Sequence, residues 1–150
     1  VAKTLLEQGK KNLTVLTNSV EIIIELFGAQ DWKVLSTGGE SREGSFALVG
    51  YQTDRMLRTY HVDKAIISAK GVDMNAGLTD SDDLHANNKR TMLTRAKGRI
   101  LAIDSSKFDQ VAFAEIGSLD QITTVITDAK PETRWLQHFE KVGVKCIYPK

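Results

Sequence analysis

Polar residues suited to binding a small anion follow five short apolar segments of this 150-residue sequence. Lysine ammonium groups, hydroxyls and backbone N–H groups are common ligands of phosphate and carboxylate groups in proteins. Residues of these types at five successive places predict a site that recognises a small polar anion. The candidate ligand-binding residues are Thr17, Asn18, Ser19, Gly38, Gly39, Arg42, Lys70, Gly71, Asp104 and Lys107.

The apolar segments themselves predict strands of a parallel sheet. They are short, rich in Val and Ile, and without strict alternation, which is typical of strands buried on both faces. The intervening segments have helical periodicity, most clearly where Pro131 begins a stripe containing Trp135 and Phe139 that ends at Gly143. The predicted strands are residues 13–16, 34–35, 65–67, 100–103, 125–126 and 144–147, and the predicted helices are residues 1–8, 19–27, 52–60, 82–97 and 131–142.

This alternation predicts one α/β domain over residues 1–150, with a mostly parallel sheet and helices on both faces. Ligands of such sheets bind at the carboxyl ends of the strands, which is where the candidate residues lie. We therefore expect one crevice that holds a small polar anion. Residues 112–117 are expected to add a short strand or an edge piece.

Several candidate residues also have a purely structural interpretation. Asn18 is expected to be the N-cap of the helix at residues 19–27, with Glu21 at the reciprocal capping-box position. The apolar face of the helix at residues 82–97 is thin, which predicts an exposed helix. The other structural interpretations are a tight turn for Gly38 and Gly39, a cap for Asp104 and a solvated loop for Lys107.

Composition and missing motifs argue against several classes of protein. The contents of 41% hydrophobic and 26% charged residues are typical of a globular domain, and a formal net charge of +1 argues against a domain that binds polyanions. The basic residues between 89 and 99 are interpreted as a solvated helix end. A single cysteine and scattered histidines predict no metal site, and we expect no cofactor because P-loop and G-x-G-x-x-G motifs are missing. No apolar run approaches the roughly 20 residues that span a membrane.

Nine short motifs keep a fixed order between about Val1 and Asp128. They are residues 13–19 (LTVLTNS), Gly38-Gly39, Gly50, Asp63-Lys64-Ala65, Gly71-Val72-Asp73, Gly77-Leu78-Thr79, Lys89-Arg90, residues 104–108 (DSSKF) and Ile126-Thr127-Asp128. In this order they resemble the effector-binding domain of DeoR-type bacterial transcriptional repressors. Residues 104–108 together with residues 17–19 are the most specific part of the resemblance.

The resemblance implies a Rossmann-like fold similar to ribose-5-phosphate isomerase, glucosamine-6-phosphate deaminase and the CoA-transferases. It implies a domain that senses a phosphorylated sugar or polyol, within a cytoplasmic homo-oligomer whose N-terminal winged helix-turn-helix binds operator DNA. By the same resemblance, Asn18, Gly38 and Gly39 would line the crevice, Lys107 would contact the effector, and Lys70 would tune the choice of sugar.

Two departures from the family pattern accompany this resemblance. The family has a strand ending in an Asp-x-Gly-Thr-Thr phosphate loop just ahead of the helix at residues 1–8, so that N-terminal strand and the DNA-binding region are expected to be missing here. The family often has an acidic residue where this sequence has His85. A sugar hydroxyl contact made by that acid does not carry over.

Two other functions compete with the sensor interpretation. An isomerase or deaminase would need a positioned general base, for which the candidates are Asp73, Asp82, Asp104 and His85. An oligomerisation domain that has lost its ligand is the third. No acid–base pair at suggestive spacing favours the enzyme, so a sensor without catalytic residues is the preferred hypothesis.

Overall fold

The computed structural model of the protein describes residues 1–149. They form two compact units, Val1–Thr59 and Tyr60–Lys150, which we call the first and second units. All six predicted strands and all five predicted helices are present, so the prediction of an α/β fold with a mostly parallel sheet is confirmed. The single domain over residues 1–150 stays a prediction, as does the missing N-terminal strand.

The first unit combines a parallel strand pair with an antiparallel hairpin. Strands β1 and β2 are parallel, with Val15 opposite Val34, and strands β3 and β4 form the hairpin. Leu26, Val49 and Leu57 are its buried apolar side chains. Its elements in chain order are α1 (Ala2–Glu7), β1 (Leu13–Thr17), α2 (Val20–Glu25), β2 (Trp32–Ser36), β3 (Glu40–Arg42), β4 (Ser45–Val49) and α3 (Tyr51–Thr59).

The second unit is built on a four-stranded parallel sheet in the order β11-β10-β8-β5. A separate antiparallel sheet has the order β6-β7-β9, and its strand β9 confirms the short strand expected within residues 112–117. The elements are β5 (Val62–Ile67), β6 (Gly71–Asp73), β7 (Gly77–Asp80), α4 (Asp83–Thr94), β8 (Ala96–Ala102), β9 (Ala114–Gly117), β10 (Thr124–Ile126), α5 (Thr133–Lys141) and β11 (Lys145–Ile147).

One face of the parallel sheet forms the core of the second unit. Leu101 and Val125 lie opposite each other in the register of β8 and β10, and both are fully buried. The predicted stripe of α5 packs into the same core through Trp135 and Phe139, and the ring of Phe108 lies 4.9 Å from that of Trp135. Burying each such side chain contributes about 1.5–3 kcal/mol, so this core fixes the strands whose ends form the site.

The opposite face of the same sheet is apolar and partly exposed. Ile126 and Ile147 are partners in the register of β10 and β11, and Ile66 lies on β5. These three side chains are 39–45% exposed. The prediction that these strands are buried on both faces is therefore not met on this face, which is partly exposed in the second unit.

Two hairpins and the environment of α4 were not anticipated by the sequence. Strand β3 contains no apolar residue, and β6 and β7 have three and four residues, so neither hairpin produces an alternating pattern. The expectation that α4 is exposed is wrong, because Ala86, Asn88, Thr91 and Leu93 of this helix are buried. Two of the four are polar, which is why the apolar stripe looked thin.

Candidate functional site

The polar residues at the end of β1 and directly after it make hydrogen bonds within the first unit. The Thr17 hydroxyl accepts a hydrogen bond from Ser19 N at 3.1 Å, and the Ser19 hydroxyl accepts one from Ile22 N at 3.3 Å. The Asn18 amide donates to the carbonyl of Leu48 at 2.9 Å. Ser19, and not Asn18, is therefore the N-cap of α2, because the Asn18 side chain is bound to the neighbouring strand β4.

Gly38 and Gly39 form a tight turn, as their structural interpretation predicts. Both have positive φ values, and a Cβ atom on Gly39 would lie 2.0 Å from the Thr53 hydroxyl. That hydroxyl is fully buried and donates to the carbonyl of Gly38 at 2.7 Å. Only glycine fits at position 39, so this turn joins the end of β2 to α3 through buried contacts.

Arg42 ends the exposed strand β3, opposite Ser45 in the hairpin. The sequence places Arg42 in a loop after β2, and the hairpin instead extends the backbone at this position. The structure thus brings Thr17, Ser19, Gly38 and Gly39 into internal contacts of the first unit, with Arg42 on its surface.

A cleft lies at the carboxyl ends of β5, β8 and β10 in the second unit. It encloses about 500 Å³ and is called the strand-end cleft below. Of the predicted residues it brings together Lys70, Asp104 and Lys107, and it adds Lys89 and Asp128, which are not among the predicted candidates. The cleft is where the parallel-sheet argument places a ligand, because these three strands point their carboxyl ends to one edge.

Two carboxylates in the cleft are held by the loop after β8. Asp104 accepts from Ser106 N at 3.0 Å and also from the Ser106 hydroxyl, as its interpretation as a cap predicts. Asp128 accepts from Ser105 N at 2.6 Å. The hydroxyl hydrogen bond of Ser106 lowers the pKa of Asp104, and the backbone hydrogen bond of Ser105 lowers that of Asp128. Both groups are acceptors with lone pairs left for ligand hydroxyls.

The three lysines of the cleft differ in how they are held. Among residues 1–149, no acidic side chain pairs with the exposed Lys70. The Lys107 ammonium lies 3.8 Å from a carboxylate oxygen of Asp104, with one third of its side chain exposed. Lys89 is ion-paired with Asp80, whose side chain is only 3% exposed. The cleft therefore contains three ammonium groups beside carboxylates. They range from Lys70, which has no acidic partner among residues 1–149, to Lys89, which is held by an ion pair.

Sequence reasoning missed Lys89 because its partner is nine residues away. Lys89 lies on α4, whereas Asp80 ends β7, so the spacing does not match a helical ion pair. Asp82 is the N-cap of α4 and accepts from His85 N at 3.0 Å, so the helix predicted from residue 82 begins there and Asp80 lies outside it. The contact between Asp80 on a buried strand and Lys89 on a helix can be seen only in the three-dimensional structure.

Gly71 lies outside the lining of the cleft. It begins β6 and is buried, and a Cβ atom there would lie 2.3 Å from the carbonyl oxygen of Gln110. Asp73, at the other end of β6, accepts from Asn75 N and Ala76 N at 2.8 and 2.9 Å. Asp73 therefore shapes a turn, and these backbone hydrogen bonds lower the pKa of its carboxyl group.

Three of the four candidate general bases, Asp73, Asp82 and Asp104, are occupied by structural bonds. Asp73 and Asp82 hold backbone N–H groups of a turn and a helix start. The only one of the four that lines the cleft is Asp104, and its lowered pKa makes it a weak base. A base for proton abstraction works best with a pKa near the operating pH, so these groups suit binding better than proton transfer.

The basic residues near the end of α4 are partly solvated, as expected, since Arg90 and Lys97 are exposed, but two of them also bind neighbouring backbone. Arg90 donates to the carbonyls of Ile116 and Glu115, at 3.3 and 2.5 Å. Arg95 donates to the carbonyl of Tyr60 at 3.1 Å. Arginine is a rigid fork of donors, and here it joins the helix end to neighbouring backbone.

Metal ligands do not gather among residues 1–149, where no group of three His, Cys, Asp or Glu side chains is placed to bind an ion. Cys146 is half-buried against the core of the second unit, and burial raises the pKa of its thiol. Within the same residues, no helix is long and apolar enough to cross a membrane.

Residues 1–129 match the family described as the DeoR C-terminal sensor domain. The chain belongs to this family. The resemblance carried by the nine motifs is therefore confirmed, and the match includes both units up to the loop after β10.

Relatives of this DeoR sensor chain are transcriptional regulators. It is 38% identical over 133 residues to the uncharacterized HTH-type transcriptional regulator YulB of Bacillus subtilis, covering 89% of this chain and 52% of the relative. It is 34% identical over 119 residues to the L-fucose operon activator of Escherichia coli, covering 79% and 49%. It is 28% identical over 137 residues to the glycerol-3-phosphate regulon repressor of Escherichia coli, covering 91% and 54%. The chain spans about half the length of these curated relatives.

Proposed function

We propose that the chain senses a phosphorylated sugar or polyol and that the strand-end cleft holds this effector. The observation that carries the proposal is the meeting of Lys70, Lys89 and Lys107 with two ionised carboxylates in one cleft of about 500 Å³. Ammonium groups suit the phosphate, whereas Asp104 and Asp128 suit the hydroxyls of the carbon chain. A ligand with both an anionic end and several hydroxyls satisfies both sets.

The names of the relatives support the same class of effector. One relative is a regulator of the glycerol-3-phosphate regulon and another activates an L-fucose operon. We extend this to the present chain as regulation of sugar metabolism. Effector binding would shift the protein between two states by its different affinity for each, and so change the affinity of the whole protein for operator DNA. DNA binding, homo-oligomer formation and a cytoplasmic location are parts of this proposal.

The candidate ligand-binding residues of the first unit stay part of the proposal. Thr17, Asn18, Ser19, Gly38, Gly39 and Arg42, and also Gly71 of the second unit, stay predicted ligand-binding residues. Support for them is weaker than for the cleft lysines, because the polar atoms described for most of them are bound within their own unit. The alternative of an isomerase or deaminase is disfavoured by the structural bonds of its candidate bases.

A panel of phosphorylated compounds tests the proposal. The full-length gene product is titrated with glycerol 3-phosphate, fructose 1-phosphate, ribose 5-phosphate and glucosamine 6-phosphate, and thermal unfolding is followed. A ligand at a hundred times its Kd stabilises the folded state by about 2.7 kcal/mol. The unphosphorylated compounds are the matched controls and should give no shift.

The outcomes separate the hypotheses. A shift with one phosphorylated compound, together with a change in operator affinity at the same concentration, supports the sensor. A shift with none of the four argues against it. Conversion of a bound compound to an isomer or a deaminated product would instead support the enzyme.

A further inference from the structure

The most buried charged pair that borders the strand-end cleft is Asp80 with Lys89. Asp80 is the last residue of β7, and 2% of its surface is exposed. Lys89 reaches it from α4 and lines the cleft with 20% of its side chain exposed. Asp80 is therefore inside the protein, while Lys89 faces the cleft.

The Asp80 carboxylate is fixed on both of its oxygens. One oxygen accepts from Ser81 N at 2.7 Å and from the Ser81 hydroxyl at 3.3 Å. The other accepts from the Lys89 ammonium group. An ammonium group has three donors, so Lys89 has donors left after this contact for a group in the cleft.

Stability alone gives a weak reason for such a pair. A buried ion pair is often no more stabilising than apolar residues of similar size, because both charges lose water. The ion pair with Asp80 instead gives the Lys89 ammonium group a defined position. The ordering of the Lys89 side chain is complete before a ligand arrives, whereas Lys70 is exposed and unpaired among the described residues.

We infer that Lys89 binds the anionic group of the effector and that Asp80 is the residue that positions it. This inference rests on the proposed function, since it assigns a contact within the same cleft. It divides the lysines into two kinds. Lys89 is held in place by the fold, and Lys70 and Lys107 adjust to the ligand from the rim.

The sign of one substitution separates positioning from simple electrostatics. Asp80→Asn removes a negative charge beside the cleft, which by Coulomb's law alone would strengthen the binding of an anion. If Asp80 positions Lys89, the same substitution releases the ammonium group and weakens binding. Lys89→Met is expected to lower affinity by about 10- to 100-fold, the range for losing a hydrogen bond between charged groups.

The experiment measures the Kd of the tightest-binding compound of the four-member panel by calorimetry on the full-length gene product. The variants are Asp80→Asn, Lys89→Met and the double variant. The double variant replaces the ion pair with two neutral side chains, and so keeps a measurable protein if Lys89→Met alone fails to fold. Asp63→Asn and Lys97→Met are matched controls, because these exposed residues lie at the amino ends of β5 and β8, away from the cleft.

The expected result is weaker binding in all three cleft variants, little further loss in the double variant beyond that of Lys89→Met, and unchanged binding in the controls. Unchanged binding in Lys89→Met or the double variant, or tighter binding in Asp80→Asn, would overturn the inference while leaving the proposed function intact. Absence of binding of all four compounds to the unmodified protein would overturn both.

Discussion

Residues 37–39 and residues 68–70 each connect a parallel strand to an antiparallel hairpin that continues into a helix. The first runs from β2 through the hairpin β3–β4 to α3, and the second from β5 through β6–β7 to α4. In residues 37–39 the polar atoms are bound internally, as in the bond from Thr53 to Gly38. In residues 68–70 the exposed Lys70 is presented to a cleft.

The two connections differ in the type of side chain and also in the backbone, because Gly38 and Gly39 have positive φ values whereas residues 68–70 have none. Hydroxyls and glycines close a turn by short local bonds, whereas a lysine reaches beyond the turn and keeps its charge in water. Residues 37–39 therefore close a turn by internal hydrogen bonds, whereas residues 68–70 line part of a candidate site, although the order of elements is the same.

The largest expected effect is at Gly39. A Cβ atom at this position overlaps the Thr53 hydroxyl at 2.0 Å and the Val49 carbonyl at 2.6 Å, at a φ of 124°. Gly39→Ala should therefore lower the free energy of unfolding by about 3 kcal/mol or more. Urea denaturation followed by circular dichroism measures this.

Gly38→Ala is the matched control for that substitution. Gly38 has a φ of 63°, and a Cβ atom added there would meet no other group within 4 Å, so a loss of about 1 kcal/mol is expected. Equal losses in the two variants would mean that the turn is not closed by the Thr53 contact.

The next largest effect is expected on ligand affinity, when a lysine of the strand-end cleft is replaced. Lys107→Ala should weaken binding of the phosphorylated effector by about tenfold or more, since a charge-assisted hydrogen bond is removed. Its stability should change by less than about 0.5 kcal/mol, as is usual at a surface. Calorimetric titration measures the affinity, and urea denaturation of the same sample measures the stability. Unchanged affinity would mean that Lys107 is a solvated loop residue without a ligand contact.

Helix caps give a smaller effect that should be alike in the two units. Ser19 caps α2 and Asp82 caps α4, each by one side-chain oxygen that accepts a backbone hydrogen bond. Ser19→Ala and Asp82→Ala should each lower the free energy of unfolding by about 1 kcal/mol. Ser19→Asp, which retains an acceptor, should stay within a few tenths of the unmodified protein; a full loss in that variant would assign Ser19 another role.

The smallest effect is the acid sensitivity of the Asp80 pair. Burial acts to raise the pKa of Asp80, but the hydrogen bond and charge of Lys89, together with the Ser81 N–H and the charge of His85, outweigh burial, so the pKa is lower than usual. Such a group stabilises the fold above its unfolded pKa of about 3.9, and this is lost as pH falls through the lower folded value. The stability difference between the unmodified protein and Asp80→Asn should therefore shrink between pH 5 and pH 3. A difference independent of pH over that range would contradict the ion pair.

The sequence predicted the parallel strands and their helices because each produces its own apolar pattern. The stripe of Trp135 and Phe139 is one example, and both residues are in the core. The strand-end rule also placed Lys70, Asp104 and Lys107 in one cleft. These predictions need only local pattern and the common direction of parallel strands.

The remainder depended on contacts between distant segments. Strand β3 has the sequence Glu-Ser-Arg, which carries no strand signal until β4 pairs with it. Asn88 and Thr91 are buried although both are polar. Lys89 looked like part of a solvated basic stretch because its partner Asp80 lies on another element. The residue pattern of a single segment does not show contacts between segments that lie far apart in the sequence.

The proposed role of Lys70 would separate ligand choice from folding, which has an evolutionary consequence. Its side chain is exposed and lies outside the core, so replacing it changes stability by only about 0.5 kcal/mol or less. Gene duplicates of this sensor could therefore explore new effectors by single substitutions at position 70 without a compensating change elsewhere. Position 39 offers no such route, since every side chain there meets Thr53.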